Sequence, residues 1–213
     1  MDDLFPDSLL SPPRLLAPGA TLLAGQALAQ QDAIWQAVER VLQQAPLRRM
    51  QTPGGHTMSV AMSNCGQLGW ISDQRGYRYS DQDPASGLPW PALPPLLADL
   101  AGTWAATAGF AGFHSNACLI NCYEPGSRMS LHQDRDERDF TQPIVTLSLG
   151  LAARFMLGGA QRQSAHQKIV LRHGDVLVFG GPARLCFHGI MPLADGWHPL
   201  LGSWRISLTF RCA

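Results

Sequence analysis

The stretch Arg205-Ile-Ser-Leu-Thr-Phe-Arg211 alternates polar and apolar residues without a break. Successive side chains of a β-strand point to opposite faces, so one face of this segment is apolar and the other is polar. The polar face carries Arg205, Ser207, Thr209 and Arg211. The pattern predicts a strand with one face in the core and a second face rich in cations.

Seven other short apolar or alternating runs precede this strand, separated by Gly, Pro and Asp. They cover residues 117–123, 129–134, 144–149, 154–157, 169–171, 176–179 and 185–188. Helical patterns occur earlier, at residues 32–45 and from Pro94-Pro95 to Gly109. The first 30 residues show no clear period and suggest an arm, and the turn-rich stretch 64–91 is expected to be irregular. Because the helices precede the strands instead of alternating with them, the order argues against a parallel sheet. It predicts a mainly β fold with flanking helices and a jelly-roll core.

Composition limits the function classes. The chain has 213 residues, 46% of them hydrophobic, which suits one domain with appendages. Neither a long apolar run nor a signal peptide is visible, and five cysteines without a Cys-x-x-Cys pair suggest a reducing compartment. We therefore expect a cytoplasmic monomer that does not bind membranes. Sixteen cations balance sixteen acids, so any nucleic-acid contact must be local.

His132-Gln133-Asp134 is the first candidate for chemistry, because residues two apart on a strand share a face. A second His-x-Asp, at His173 and Asp175, has a central Gly and leads into a strand, so we interpret it as a turn. His188 supplies a third ligand. Two histidines and one carboxylate form the facial triad of non-haem Fe(II) oxygenases. A zinc hydrolase would use the same ligand types.

Two arginines at even spacing can bind the two carboxylates of a dianionic co-substrate through bidentate hydrogen bonds. Arg205 and Arg211 have this spacing, although an ordinary solvated face would look the same. Asn121 and Tyr123 also share one face of their strand as neutral donors. Together with an iron triad, these residues point to 2-oxoglutarate as the co-substrate.

Four segments resemble the AlkB family of Fe(II)- and 2-oxoglutarate-dependent alkylated-nucleobase dioxygenases: residues 121–126, 131–137, 188–190 and 205–211. The resemblance continues through residues 52–62 and 64–70 and covers nearly all of the chain after residue 45. It implies a double-stranded β-helix core at 93–213, a nucleotide-recognition lid at 46–92, and an N-terminal arm and helix at 1–45. The cofactors implied are Fe(II), with 2-oxoglutarate and O2 as co-substrates.

The resemblance also implies roles for individual residues. Iron would be held by His132, Asp134 and His188, and 2-oxoglutarate by Asn121, Tyr123, Arg205, Ser207 and Arg211. The substrate base would be read by Trp70, Tyr77, Arg78, Tyr79, Asp136 and Arg162. The implied reaction is oxidative demethylation of bases such as 1-methyladenine and 3-methylcytosine, with release of formaldehyde, in single-stranded or base-flipped DNA; RNA is a second candidate substrate.

The sequence departs from bacterial members of the family at three positions: Ser207 replaces Asn, Phe179 replaces Trp and His56 replaces Tyr. Two alternatives to the main hypothesis remain at this point. One is a dioxygenase of the same fold acting on tRNA, protein or a small molecule. The other is a non-enzymatic jelly-roll module that binds a metal or an anion.

Overall fold

The computed structural model of the chain describes residues 11–213, so the first ten residues of the predicted N-terminal arm lie outside the described residues. Within the described residues there are two α-helices, α1 (Gln31–Gln44) and α2 (Pro95–Thr107). The strands are β1 (Arg14–Ala17), β2 (Ala20–Leu23), β3 (Arg48–Gln51), β4 (Thr57–Gly66), β5 (Gly69–Asp73), β6 (Gly76–Ser80), β7 (Ala117–Tyr123), β8 (Met129–His132), β9 (Ile144–Gly150), β10 (Ala153–Leu157), β11 (Gln167–Leu171), β12 (Val176–Phe179), β13 (His188–Ile190) and β14 (Arg205–Arg211).

The alternating segment forms β14 and lies inside an eight-stranded sheet of order β1-β2-β12-β9-β14-β7-β4-β3. Its apolar face packs against the helices, where Phe210 shares a buried cluster with Ile34 of α1 and Trp104 of α2. A four-stranded sheet of order β11-β10-β13-β8 forms the second layer. The polar face of β14 lines the cavity between the two layers. The mainly β, jelly-roll prediction is confirmed.

Three local predictions were wrong. The segment before α1, expected to be an arm without regular structure, contains the hairpin β1–β2, and β2 extends the large sheet by pairing with β12. All four residues of β2 are buried, so this strand shows no alternation that would reveal it. Residues 64–91, expected to be irregular, contain the hairpin β5–β6. The strand expected at 185–188 begins instead at His188.

The segment 46–92 serves two structural roles. Strands β3 and β4 extend the eight-stranded sheet beside β7, whereas β5 and β6 form a separate two-stranded sheet. Gly76, at the start of β6, has a φ of +110°, a conformation that residues with side chains rarely adopt. Among residues 11–213, none of the helices is long and apolar enough to cross a membrane.

Candidate metal and co-substrate site

A cavity of about 970 Å³ lies between the two main sheets. Most of the residues singled out from the sequence line it: Trp70, Tyr77, Asn121, Tyr123, His132, Asp134, Asp136, Arg162, His188, Arg205, Ser207 and Arg211. Arg78 and Tyr79 are not part of the lining. The fold therefore brings segments that are far apart in sequence to one site.

His132, Asp134 and His188 converge inside this cavity, with one ligand atom from each lying within 4.8 Å of the others. His132 on β8 and His188 on β13 are directly opposite partners in the four-stranded sheet. Each imidazole Nδ1 lies close to a backbone carbonyl, Ser130 O at 2.8 Å and Cys186 O at 3.0 Å. If Nδ1 carries the proton and donates it there, each Nε2 keeps a free lone pair for a metal.

The structure places Asp134 in a different element from the one predicted. Strand β8 ends at His132, so Asp134 approaches the site from the following loop and not by strand alternation. Its carboxylate lies 3.5 Å from His132 Nε2 and 3.8 Å from His188 Nε2. The side chain is buried, and it accepts a 2.7 Å hydrogen bond from Arg211 Nη2.

The charge states of Asp134 and His188 suit metal binding, whereas the neighbouring carboxylate of Asp134 raises the pKa of His132. Burial opposes ionisation of Asp134, but Arg211 and the two histidines outweigh it and hold the pKa of this carboxyl well below its usual range. Burial, reinforced by the neighbouring His132, lowers the pKa of His188 to about 4. A neutral imidazole and an ionised carboxylate are the forms that bind metal. A donor set of two nitrogens and one oxygen fits Fe(II).

The polar face of β14 supplies an anion site beside the triad. Arg205 is fully buried, and its guanidinium stacks 5.0 Å above the Tyr123 ring. Its Nη2 donates to Ser148 Oγ at 3.0 Å, while Nε and Nη1 have no partner within the described residues. Asn121 Oδ1 and Arg211 Nε are similarly without a hydrogen bond. Unpaired buried cationic donors are costly, so the two free nitrogens of Arg205 fit a carboxylate of a co-substrate such as 2-oxoglutarate.

Ser207 lies between the two arginines on β14 and is within 3.0 Å of Thr146 Oγ1. Phe179, the second departure from the family pattern, is buried with its ring 5.0 Å from that of His188. His56, the third departure, is exposed and lines the same cavity. All three departures therefore face the candidate site.

Aromatic side chains of the hairpin β5–β6 cover one side of the cavity. Trp70 and Tyr77 stack with ring centroids 5.5 Å apart and planes 14° apart. Trp70 Nε1 donates a 2.8 Å hydrogen bond to Asp136 Oδ2, so the carboxylate holds the indole in place. Arg78 pairs with Asp73 at 2.7 Å within the hairpin. Arg162, from the loop between β10 and β11, donates to the Leu131 carbonyl at 2.7 Å.

Two buried residues escaped the sequence analysis. Glu137 accepts hydrogen bonds from Tyr79 Oη at 2.6 Å and from Arg184 Nη2 at 3.0 Å, and it lies 3.3 Å from Arg211 Nε. Arg184 also donates to the backbone carbonyl of Asp134 at 2.6 Å. Burial raises the pKa of the Tyr79 hydroxyl, which therefore stays protonated as the donor. The network links the hairpin to the loop that carries the candidate ligand.

The second His-x-Asp has a structural role, as predicted. Asp175 accepts backbone hydrogen bonds from Gly25 at 2.9 Å and Arg172 at 2.8 Å. His173 Nδ1 accepts one from the backbone of Gly150. These hydrogen bonds occupy the side chains of His173 and Asp175 and hold the turn before β12 in place.

A family model described as the 2OG-Fe(II) oxygenase superfamily matches residues 19–211. The chain belongs to this superfamily. It is 50% identical over 198 residues to the "Alpha-ketoglutarate-dependent dioxygenase AlkB" of Salmonella typhimurium, covering 93% of this chain and 92% of the relative. The AlkB resemblance is confirmed, and the non-enzymatic module is excluded. The protein is an Fe(II)- and 2-oxoglutarate-dependent dioxygenase.

More distant relatives agree with this assignment. The solved structure of OsALKBH1 superimposes with a TM-score of 0.81 at 26% identity, covering 95% of this chain and all of that one. The mouse "Nucleic acid dioxygenase ALKBH1" is 34% identical over 134 residues, covering 61% of this chain and 34% of the relative. The jelly-roll fold and the oxygenase family are thus supported independently by structure and by sequence.

Proposed function

We propose that this dioxygenase removes N-linked methyl groups from damaged bases, of the 1-methyladenine and 3-methylcytosine type, in single-stranded or base-flipped DNA, with RNA as a second substrate. The observation that carries the proposal is the stacked pair Trp70 and Tyr77 on the cavity, anchored by Asp136. Aromatic platforms of this kind bind bases by stacking, at about 1–3 kcal/mol per base. The AlkB relative and the name of the mouse relative point in the same direction.

Each group of residues has a defined task in this proposal. His132, Asp134 and His188 hold Fe(II), while Arg205 and Arg211 hold the two carboxylates of 2-oxoglutarate, assisted by Asn121, Tyr123 and Ser207. When bound, iron and 2-oxoglutarate supply the oxidation of the methyl carbon by O2. The hydroxymethyl group so produced leaves as formaldehyde, and the base nitrogen recovers its lone pair.

The residues of the hairpin and of the loop after β8 position the base. Trp70 and Tyr77 stack on it and exclude water, and Arg162 closes the opposite rim. Asp136 accepts a hydrogen bond from the exocyclic amine and favours a cationic lesion over a neutral base. A methyl group on the Watson–Crick edge is inaccessible in a duplex, so the base must be extruded or already unpaired.

Formaldehyde release from single-stranded oligonucleotides containing one 1-methyladenine tests the proposal, with anaerobic and 2-oxoglutarate-free reactions as controls. We expect release only when iron, 2-oxoglutarate and O2 are all present, and strong loss in Trp70→Ala. Absence of release from DNA and RNA, with turnover on a protein or a small molecule, would contradict the proposal and favour a dioxygenase of that other class.

Two finer points belong to the same proposal. The enzyme acts as a monomer, because the proposed ligands of iron, His132, Asp134 and His188, already converge within a single chain. It acts in the cytoplasm, where its five free cysteines stay reduced and nucleic acid is present. Light scattering of the purified protein with and without an oligonucleotide would test the first point.

A further inference from the structure

A second, smaller groove of about 290 Å³ lies where the edges of the two main sheets meet. Strand β1 ends the eight-stranded sheet and β11 ends the four-stranded sheet. The groove is lined by Arg14 and Leu16 from β1 and by residues 167–170 and 172 along β11. Three of these residues are cations (Arg14, Lys168 and Arg172), and none is acidic. We call this the edge groove.

Strand geometry places the cations on one outward face. Ile169 and Leu171 of β11 are buried, so Lys168, Val170 and Arg172 point to solvent. Arg154, on the neighbouring β10, is opposite Val170 and is also exposed. In a chain of zero net charge, four cations on one surface form a local positive field.

These cations are available to a partner. None of the salt bridges formed among residues 11–213 involves Arg14, Arg154, Lys168 or Arg172. The nearby carboxylate of Asp175 is buried and is occupied by backbone N–H groups. No described acidic side chain therefore neutralises the groove.

The floor of the edge groove is fixed. Gln167 Nε2 donates a 3.1 Å hydrogen bond to the carbonyl of Leu16, which ties the two edge strands together. Edge strands also present backbone N–H groups that a sheet neighbour would otherwise occupy, and such groups can donate to phosphate oxygens. The groove thus combines exposed cationic side chains with a backbone held by the bond between Gln167 and Leu16.

A short segment of chain joins the edge groove to the rim of the active-site cavity. Strand β11 follows directly after the loop 158–166, and that loop carries Arg162, which lines the cavity. From Gln167 to Arg172 the strand covers about 17 Å at roughly 3.3 Å per residue. A strand whose base enters the cavity past Arg162 needs only a few further nucleotides to reach Lys168 and Arg172.

We propose that the edge groove binds the phosphate backbone of the nucleic-acid substrate several nucleotides away from the base in the active site. This inference rests on the proposed function, because it takes nucleic acid as the substrate. It adds an electrostatic contact outside the cavity that lets long substrates bind more tightly than short ones.

The expected size of the effect follows from counterion release. For single strands each phosphate contact contributes about 0.7 to the slope of log K against log salt. Removal of two contacts should therefore lower the slope by about 1.4 and weaken binding by roughly fivefold per contact at 0.1 M salt. A substrate too short to reach the groove should be unaffected.

The test compares wild type with Lys168→Gln/Arg172→Gln. Binding of an unmethylated single-stranded 20-mer is measured by fluorescence anisotropy over a salt series, and formaldehyde release is measured from a trinucleotide with a central 1-methyladenine. The control is Arg40→Glu, an exposed residue of α1 whose substitution changes the net charge by the same two units. We expect the double variant alone to lose affinity and salt slope on the 20-mer, with the KM for the trinucleotide unchanged.

Lys168 also permits a direct test, since it is the only lysine in the chain. A 20-mer carrying an amine-reactive ester on its backbone a few nucleotides from a 1-methyladenine should acylate Lys168, as peptide mapping of the product would show, and Lys168→Gln should react only at its α-amino group. Equal binding of the 20-mer by wild type and the double variant, or an equal loss on the trinucleotide, would overturn the edge-groove proposal. Failure of the wild type to demethylate even the trinucleotide would count against the proposed function instead.

Discussion

Tyr79 Oη and Glu137 Oε1 are joined by a 2.6 Å hydrogen bond although 58 residues separate them in sequence. The tyrosine belongs to the hairpin β5–β6, and the glutamate belongs to the loop that also carries Asp134. Because Glu137 also pairs with Arg184, the bond ties the hairpin to a buried ionic network. The position of the hairpin relative to the metal site is thus fixed by polar contacts in addition to aromatic packing.

Glu137→Ala should destabilise the protein by about 3–5 kcal/mol, because it leaves Arg184 buried without its carboxylate partner. The measurement is denaturant unfolding of the metal-free protein. Glu124→Ala is the control, since Glu124 pairs with Arg49 at the surface and should cost less than about 1 kcal/mol. Similar losses for both variants would show that the network adds nothing beyond an exposed ion pair.

Asp134→Ala should abolish Fe(II) binding and turnover, whereas Asp175→Ala should keep both and lose only stability. The reason is that Asp134 lies beside both histidines, while Asp175 caps backbone N–H groups of a turn. Anaerobic titration with Fe(II) distinguishes the two variants. Metal binding that survives Asp134→Ala and is lost in Asp175→Ala would move the site to His173.

Arg205→Met should raise the thermal stability of the metal-free protein while it abolishes 2-oxoglutarate binding. A buried guanidinium with two unpartnered nitrogens is a cost that an apolar side chain of similar length removes. Each charged hydrogen bond lost to the co-substrate is worth about 1.5–3 kcal/mol. Calorimetry measures both the thermal stability and the binding of 2-oxoglutarate. A lower Tm for the variant would show that the guanidinium is adequately solvated.

Asp136→Ala should reduce kcat/KM for 1-methyladenine by a factor that corresponds to roughly 1–3 kcal/mol of transition-state stabilisation. The loss for 3-methylthymine should be smaller, because this base has neither an exocyclic amine nor a positive charge. The structure adds a second role for this residue, since it also holds Trp70. Trp70→Phe, which removes the indole donor and keeps a ring, is the matched control. Equal losses on both bases would mean that Asp136 acts only through Trp70.

The contribution of His188 to the stability of the metal-free protein should fall as the pH drops from about 6.5 to 4. His188 has a pKa of about 4 when folded, against an ordinary value of 6.5, so the unfolded chain binds its proton more readily in this window. His188→Gln should flatten this part of the pH profile. An unchanged slope in His188→Gln would assign the acid sensitivity to another group.

The sequence predicted the bounds of three strands correctly. The bounds of β7, β12 and β14 agree with the predicted segments, because alternation or a short apolar run marks them clearly. It failed for β2, where both faces are buried, and for β5–β6, where Gly and aromatic residues suggested irregular structure.

The same reasoning explains why Glu137 was missed. It lies in the charged run from Asp134 to Asp139, where a solvated loop is the natural expectation. Only its distant partners Tyr79 and Arg184 reveal that it is buried, and no local pattern encodes contacts 58 and 47 residues apart. Residues of His-x-Asp type were easier to find because their spacing carries the information.

The placement of β14 between β9 and β7 has a consequence for biosynthesis. Strand β14 follows β7 and β9 in the chain but lies between them in the large sheet, so these two strands cannot be joined until β14 has been synthesised. Pairings between such distant segments form late during folding. Arg205 and Arg211 arrive with that strand, so a chain that has not yet made β14 lacks both arginines of the candidate co-substrate site. The proposed co-substrate site is therefore completed late in folding.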